Sequence, residues 1–436
     1  MTEPVQPGWY PDRVDAPGIS VAMLQPNDDP FYSYTGPQSL DSIAPGTVLQ
    51  TRTFRYHIFG FPTLLETTQL LYRSTSQTGK PTVNVTSIIV PPIQFDETKV
   101  ISYQSAYDSL NRNDEPSYAI SGGRRLGGVI PNVEAAVFGP FIADGYTVIV
   151  PDTEGQRADF AAGPEYGMNT LDSIRAALSS STIPSDARVA MLGYSGGAIA
   201  TEWAAELAPT YAPDVNERLI GAAIGGVLVD PAHNLHYVEG TGFWAGVMAM
   251  ALVGIARAFE IETELARYLS TKGARIFHEM QTASIVNVLG QYPGMKWADL
   301  VIPEYPSPEK LPLFVQCANK LIMGTGGTPT IPLFIGQGAN GELLEGTPGD
   351  KKGIGAGDGV MIAGDVRTLA RDYCAKGTKV HYEEYKALSH IWSVPIWLLH
   401  SIAWIKQRFD GVPVPENCSS ILKGNPLTPI PTPKSG

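Results

Sequence analysis

Gly193-Tyr194-Ser195-Gly196-Gly197 is the one G-x-S-x-G in the chain. A serine hydroxyl is a weak nucleophile until a base takes its proton, and small residues on either side let a sharply turned backbone hold it clear of its neighbours. The flanking sequence predicts such a turn. Residues 189–192 are an apolar, strand-like run, and 198–208 follow with strong helix propensity up to Pro209. Strand, sharp turn and helix make a nucleophile elbow, whose helix start offers a positive dipole end and the Gly196 N–H to a developing oxyanion. An ordinary glycine-rich strand-to-helix turn is the alternative.

An elbow serine needs a base and an orienting acid later in the chain, in the order Ser, Asp or Glu, His. Of seven histidines, His381, His390 and His400 lie in the last quarter. His381 falls in a predicted strand and His400 in a predicted helix over 397–409, so both read as structural. His390 falls in the loop between them and is the predicted base. For the acid, Asp358 is preferred because glycines flank it in Gly357-Asp358-Gly359-Val360-Met361, as a tight turn presenting a carboxylate requires. Asp350 and Glu342 remain open, Asn340 stands where an aspartate is expected, and Asp365 reads as the N-cap of a helix over 366–374.

These residues need a scaffold. Short apolar runs at 100–103, 147–150, 189–192, 223–228, 332–335 and 380–382 are separated by helix-length segments, the rhythm of βαβ units around a mostly parallel sheet. About a hundred residues separate the fourth and fifth runs, more than one crossover needs. An inserted helical cap is expected there, over 232–311, with core segments 46–231 and 312–436 on either side. Alternation over 48–56, with 70–73 and 83–90, predicts an antiparallel edge, and the Pro-rich residues 1–45 an extended surface arm. Phe243, Trp244, Met248 and Met250 recur in an apolar stretch of the cap and are candidates for an acyl pocket, or for the cap's own core.

Composition narrows the function classes. Hydrophobic residues at 43% and charged ones at 17% are globular proportions, without a run long enough to predict a membrane-spanning helix. The net charge of −12 repels phosphate, so nucleic acid is not an expected partner. The three cysteines form no C-x-x-C pair, and His278-Glu279 lacks a zincin's second histidine, so no metal site is predicted. Gly336-Gln337-Gly338-Ala339-Asn340-Gly341 matches G-x-G-x-x-G, but Gly346, Pro348 and Gly349 leave no room for the helix that would hold a pyrophosphate. No cofactor is implied. Residues 1–7 have neither a basic stretch nor an apolar run, so the chain as given predicts no signal peptide, unless Met1 replaced a leader.

An ordered set of motifs adds a resemblance. Tyr103-Gln104 with Tyr107-Asp108, Asp152-Thr153-Glu154-Gly155, the serine motif with Ala198, and Tyr211-Ala212-Pro213-Asp214 are similar to the secretory lipases, the lipase-A-like α/β-hydrolases of fungi and actinobacteria. The glycine-flanked Asp358, Tyr373-Cys374, Ser389-His390, Phe409-Asp410-Gly411 and Asn417-Cys418-Ser419-Ser420 resemble the actinobacterial branch, and the likeness spans about 28–418. It implies an α/β-hydrolase fold and a serine carboxylic ester hydrolase acting on acylglycerols, with a lipid interface as a candidate place of action. Acyl transfer by the same residues and a silent lipid-binding hydrolase fold are the alternatives. It also implies the Asp108 N–H as second oxyanion donor and a Cys374–Cys418 disulfide, which would contribute about 4 kcal/mol and favour a secreted or cell-envelope location. Cys317 is then a buried free thiol. Two departures stand out: the 338–357 insertion displaces the acid from its usual place, and fungal members continue beyond Cys418 into a segment covering the site.

Overall fold

The computed structural model describes residues 8–9, 24–341 and 350–433. Runs that are apolar at every position can be satisfied only by strands covered on both faces. They form the middle of a ten-stranded sheet. Its strands are β1 Gly8–Trp9, β2 Val48–Ile58, β3 Phe61–Thr75, β4 Pro81–Val90, β5 Lys99–Gln104, β6 Thr147–Pro151, β7 Arg188–Tyr194, β8 Leu219–Gly225, β9 Leu333–Gly338 and β12 Val380–Tyr385. A separate hairpin pairs β10 Asp350–Lys351 with β11 Gly355–Ala356. The sheet order is β1-β2-β3-β4-β6-β5-β7-β8-β9-β12. Neighbours from β6 through β12 pair in parallel, while β2, β3 and β4 form the antiparallel side and β4 joins β6 antiparallel.

The longer helices are α1 Ala135–Ala143, α2 Gly163–Ser179, α3 Gly196–Tyr211, α4 Pro231–Val238, α5 Ala245–Ala258, α6 Thr271–Met280, α7 Pro312–Ala318, α8 Ala363–Ala375 and α9 His390–Phe409. Ile174, Trp203 and Leu369 of α2, α3 and α8 share one buried cluster with Met191 of β7. Phe141 of α1 and Trp397 and Trp404 of α9 share another with Leu192, so adjacent residues of one strand serve opposite layers. Helices α4 to α7 all lie between β8 and β9, and α4, α5 and α6 enclose a third cluster that includes Val360 and Met361.

Several boundaries differ from the sequence reading. Pro209 lies inside α3, because a proline so near a helix's end removes only one backbone bond before the helix ends at Tyr211. The fourth strand ends at Gly225, and Gly226 turns away at φ 56, where a Cβ would come within 2.7 Å of the His390 ring. Helix α9 begins at His390 itself, with Ser389 as N-cap, and continues through Pro395 because Ser393, Trp397, Ser401 and Trp404 bury one face against the sheet. His390 is therefore a helix-start residue, not a loop residue. Asp365 is not the cap of α8: Ile362 is, and Asp365 sits buried in the first turn with His233 Nδ1 at 3.0 Å and Asn425 Nδ2 at 2.8 Å. The N-terminal segment is not simply a surface arm, since Phe31, Tyr32 and Ile43 form a buried cluster with Leu49, Leu71 and Val85. Cys374 and Cys418 are disulfide-bonded. Cys317 is free and buried, and burial pushes its thiol up to about 11.

Candidate active site

Strand β7 delivers Ser195 at the point where α3 begins. Its φ of 54° and ψ of −121° place a non-glycine residue in a strained turn, and the glycines around it make that turn possible. A Cβ on Gly196 would lie 1.6 Å from Asp108 Oδ1, so only glycine lets the loop after β5 lie against the start of α3. At the start of α9, His390 Nε2 is 2.8 Å from Ser195 Oγ and Nδ1 is 2.9 Å from Asp358 Oδ2. With the proton on Nδ1, Nε2 accepts the serine O–H. Asp358 is fully buried. Its Oδ1 accepts the Val360 and Met361 N–H groups at 3.1 and 2.7 Å, and its Oδ2 accepts the Gln337 amide at 2.8 Å. With His390 Nδ1, four donors converge on this carboxyl and fix its orientation.

The other acid candidates lie elsewhere. Asp350 is exposed in the β10–β11 hairpin, and Glu342 falls outside the described residues. His381 and His400 both bond Glu383, His381 Nε2 at 3.2 Å and His400 Nδ1 at 2.6 Å, away from the serine.

Gly196 is the first residue of α3, so its N–H has no partner within the helix. Asp108, at φ 37°, is held from both sides. Its carbonyl accepts the Ile285 N–H at 2.8 Å, Glu134 takes the Ala106 N–H at 2.8 Å, and Glu154 takes the Ser109 N–H at 3.1 Å. Burial, with Glu134 nearby, holds the Asp108 carboxyl well above the usual carboxylate range. Burial also pushes Glu134 up to about 7. The result is a pair of backbone N–H carriers, Gly196 and Asp108, beside a hydrogen-bonded serine, histidine and aspartate. Such an arrangement is suited to acyl chemistry.

The comparisons with known proteins agree with that chemistry. A family described as secretory lipase matches residues 123–351. Lipase 1 of Candida albicans is 31% identical over 91% of this chain and 84% of its own length. The chain belongs to the secretory lipase family. A probable inactive lipase of Mycobacterium tuberculosis is 28% identical over 91% of this chain and 85% of its own length. The closed state of Candida antarctica lipase A superimposes with a TM-score of 0.80 at 28% identity, covering 95% of this chain and 92% of that one. The fold is thus an α/β-hydrolase with an inserted helical cap, and the enzyme is a carboxylic ester hydrolase.

In this secretory lipase the four apolar candidates of the cap take different places. Trp244 meets the His390 ring edge-on at 5.6 Å between centroids, and Phe243 packs on Trp244 at 5.3 Å. Met248 lines an apolar cavity of about 60 Å³ with Val360, Leu252, Ile255 and Phe314. A second cavity, of about 30 Å³, shares Leu252, Ile255 and Phe314. Met250 is fully buried in the cap cluster and lines neither.

Two contributors to this lipase's site were missed from sequence. Gln337 stood in the glycine-rich string set aside as a loop, although its place at the end of β9 is where the acid of such a sheet usually sits. Tyr194 stood inside the serine motif without a role; its hydroxyl donates to the His390 carbonyl at 2.6 Å, and its ring lies 5.2 Å from the imidazole. Only the position of each beside a motif residue could have signalled it.

Proposed function

We propose that this lipase cleaves acylglycerol esters through an acyl-Ser195 intermediate. Ser195 Oγ attacks the ester carbonyl carbon while its proton passes to His390 Nε2, and Asp358 holds the resulting imidazolium. The Gly196 and Asp108 N–H groups bind the oxyanion. Collapse breaks the bond to the alcohol oxygen, which leaves with the proton from His390, and water then repeats the sequence to release the acid. No cofactor enters these steps.

The observation that carries this reading is the unbroken hydrogen-bonded chain from Ser195 through His390 to Asp358, at 2.8 and 2.9 Å, on a strained elbow. The cap, taken as 232–311, supplies the acyl-binding surface: Trp244 beside His390 and Met248 in the cavity support a chain running from Ser195 into the cap, with Phe243 behind Trp244 and Met250 in the cap's interior. The disulfide and the family's description support a secreted enzyme. Acyl transfer to an alcohol would use the same residues. A silent fold, the reading raised by the relative named as inactive, is disfavoured by the intact chain of donors and acceptors. The test is covalent: a p-nitrophenyl alkylphosphonate should add once per molecule of wild type with loss of esterase activity, and should not add to Ser195→Ala.

A further inference from the structure

Helix α9 has two apolar faces, and among the described residues one of them is left exposed. Its inner face, Trp397, Trp404 and Ile405, is buried on the sheet. Its outer face carries Trp392, Pro395, Ile396, Leu399 and Ala403, which recur at three- and four-residue intervals and are all exposed. Trp392 is 55% and Leu399 66% exposed. From residue 387 to 405 the chain has no Asp, Glu, Lys or Arg. The charges at the margins are engaged elsewhere: His400 pairs with Glu383 at 2.6 Å, and Lys406 with Asp144. A solvated helix surface normally alternates with charge, so an uncharged outer face of three turns calls for an occupant.

We infer that this outer face of α9 seats the enzyme on the surface of uncharged, aggregated lipid. Three observations select that occupant. The face begins two residues after His390, whose ring touches Ser195, so a lipid surface resting on Trp392 lies within a helical turn of the catalytic base. The stripe from Trp392 to Ala403 is about 16 Å long and about 10 Å wide. That footprint of roughly 160 Å² is far below the roughly 800 Å² per partner of a stable protein interface, whereas membrane-surface helices are seated by such single apolar faces. The chain's net charge of −12, with no basic residue on the stripe, selects neutral over anionic lipid. The tryptophan stands at the end nearest the active site, suited by its amphipathic ring to the boundary between headgroups and acyl chains. The inference rests on the lipase reading, but binding is separable from turnover.

The experiment is flotation of the full chain with dioleoylphosphatidylcholine vesicles, alongside Trp392→Ser/Leu399→Ser. Neither side chain takes part in the hydrogen bonds that join Ser195, His390, Asp358 and Gln337. The wild type should float, with a blue shift in tryptophan emission, and less so when a third of the lipid is anionic phosphatidylglycerol. The double variant should lose roughly tenfold or more of its partitioning, with unchanged hydrolysis of dissolved p-nitrophenyl acetate and an unchanged melting temperature. Equal flotation of the two proteins would overturn the inference. So would a wild-type dimer in solution that the double variant converts to monomer, because the face would then be a self-interface. Loss of p-nitrophenyl acetate hydrolysis in the wild type would count against the esterase reading instead, and leave the flotation result to stand by itself.

Discussion

Gln337 shares one oxygen of Asp358 with His390: its amide donates to Oδ2 at 2.8 Å, and the imidazole Nδ1 lies 2.9 Å from the same atom. It therefore fixes the direction in which the acid accepts and takes part of the charge that would otherwise bear on the imidazole alone. Gln337→Leu should leave KM near wild type and lower kcat by about tenfold. The acid limb of the kcat/KM profile should move to higher pH, because a less-bonded carboxylate holds the imidazolium proton more tightly. A fall in melting temperature with an unmoved pH profile would make Gln337 a packing residue only. At this scale the sequence exposed Ser195 and His390 because chemistry restricts residue type and order, and Asp358 because glycines flanked it. It could not expose Gln337, whose importance comes from a contact across 21 residues that have no regular pattern.

The elements were legible where one period or one composition dominated. The central strands read as continuous apolar runs because both of their faces are covered. The cap was visible as an excess of chain between two of them. The sequence predicts helix α9 only over 397–409, with His390 in the loop before it, whereas its buried face on the sheet carries it from His390 through Pro395. The same difficulty hid which apolar cap residues face substrate, since an acyl pocket and a helical core use the same side chains. Their separation is testable. Trp244→Ala should change the ratio of long-chain to short-chain p-nitrophenyl ester kcat/KM by about tenfold or more. Met250→Ala should instead cost about 2–5 kcal/mol of stability and leave that ratio unchanged. If Trp244→Ala lowered only the melting temperature, the tryptophan would belong to the cap's core.

Across the whole molecule the common electrostatic feature is the buried carboxyl. Burial raises Asp108, Glu154, Glu165 and Glu202 well above their ordinary range and pushes Glu134 and Asp172 up to about 7. The folded protein thus binds more protons than the unfolded chain between the ordinary carboxyl range and about pH 7. Stability from these groups is fully present below their unfolded values and is lost as pH rises through the folded ones. His236, raised to about 9 by its bonds to Glu239 and Glu309, is also lost in the alkaline direction. Glu383, held near 2 by its histidine partners against the opposing effect of burial, sets the acid limit instead. The melting temperature should therefore fall by several degrees between about pH 5 and about pH 8, and Glu134→Gln should flatten that dependence. A melting temperature that rose over this interval would contradict the assignment. The 43 acidic residues were countable in the sequence, but which of them fold into the interior was not, because burial is decided by loops without a period. Among the described residues no helix is long and apolar enough to cross a membrane.

The central claim is that Ser195 is the atom-bearing nucleophile of an ester hydrolase. Its most direct measurement is peptide mapping of the enzyme after inactivation by a p-nitrophenyl alkylphosphonate. The account predicts one phosphonyl group per chain, on the peptide containing Gly193-Tyr194-Ser195-Gly196-Gly197, formed in step with loss of esterase activity. An adduct on any other residue, or full activity remaining in Ser195→Ala, would contradict it.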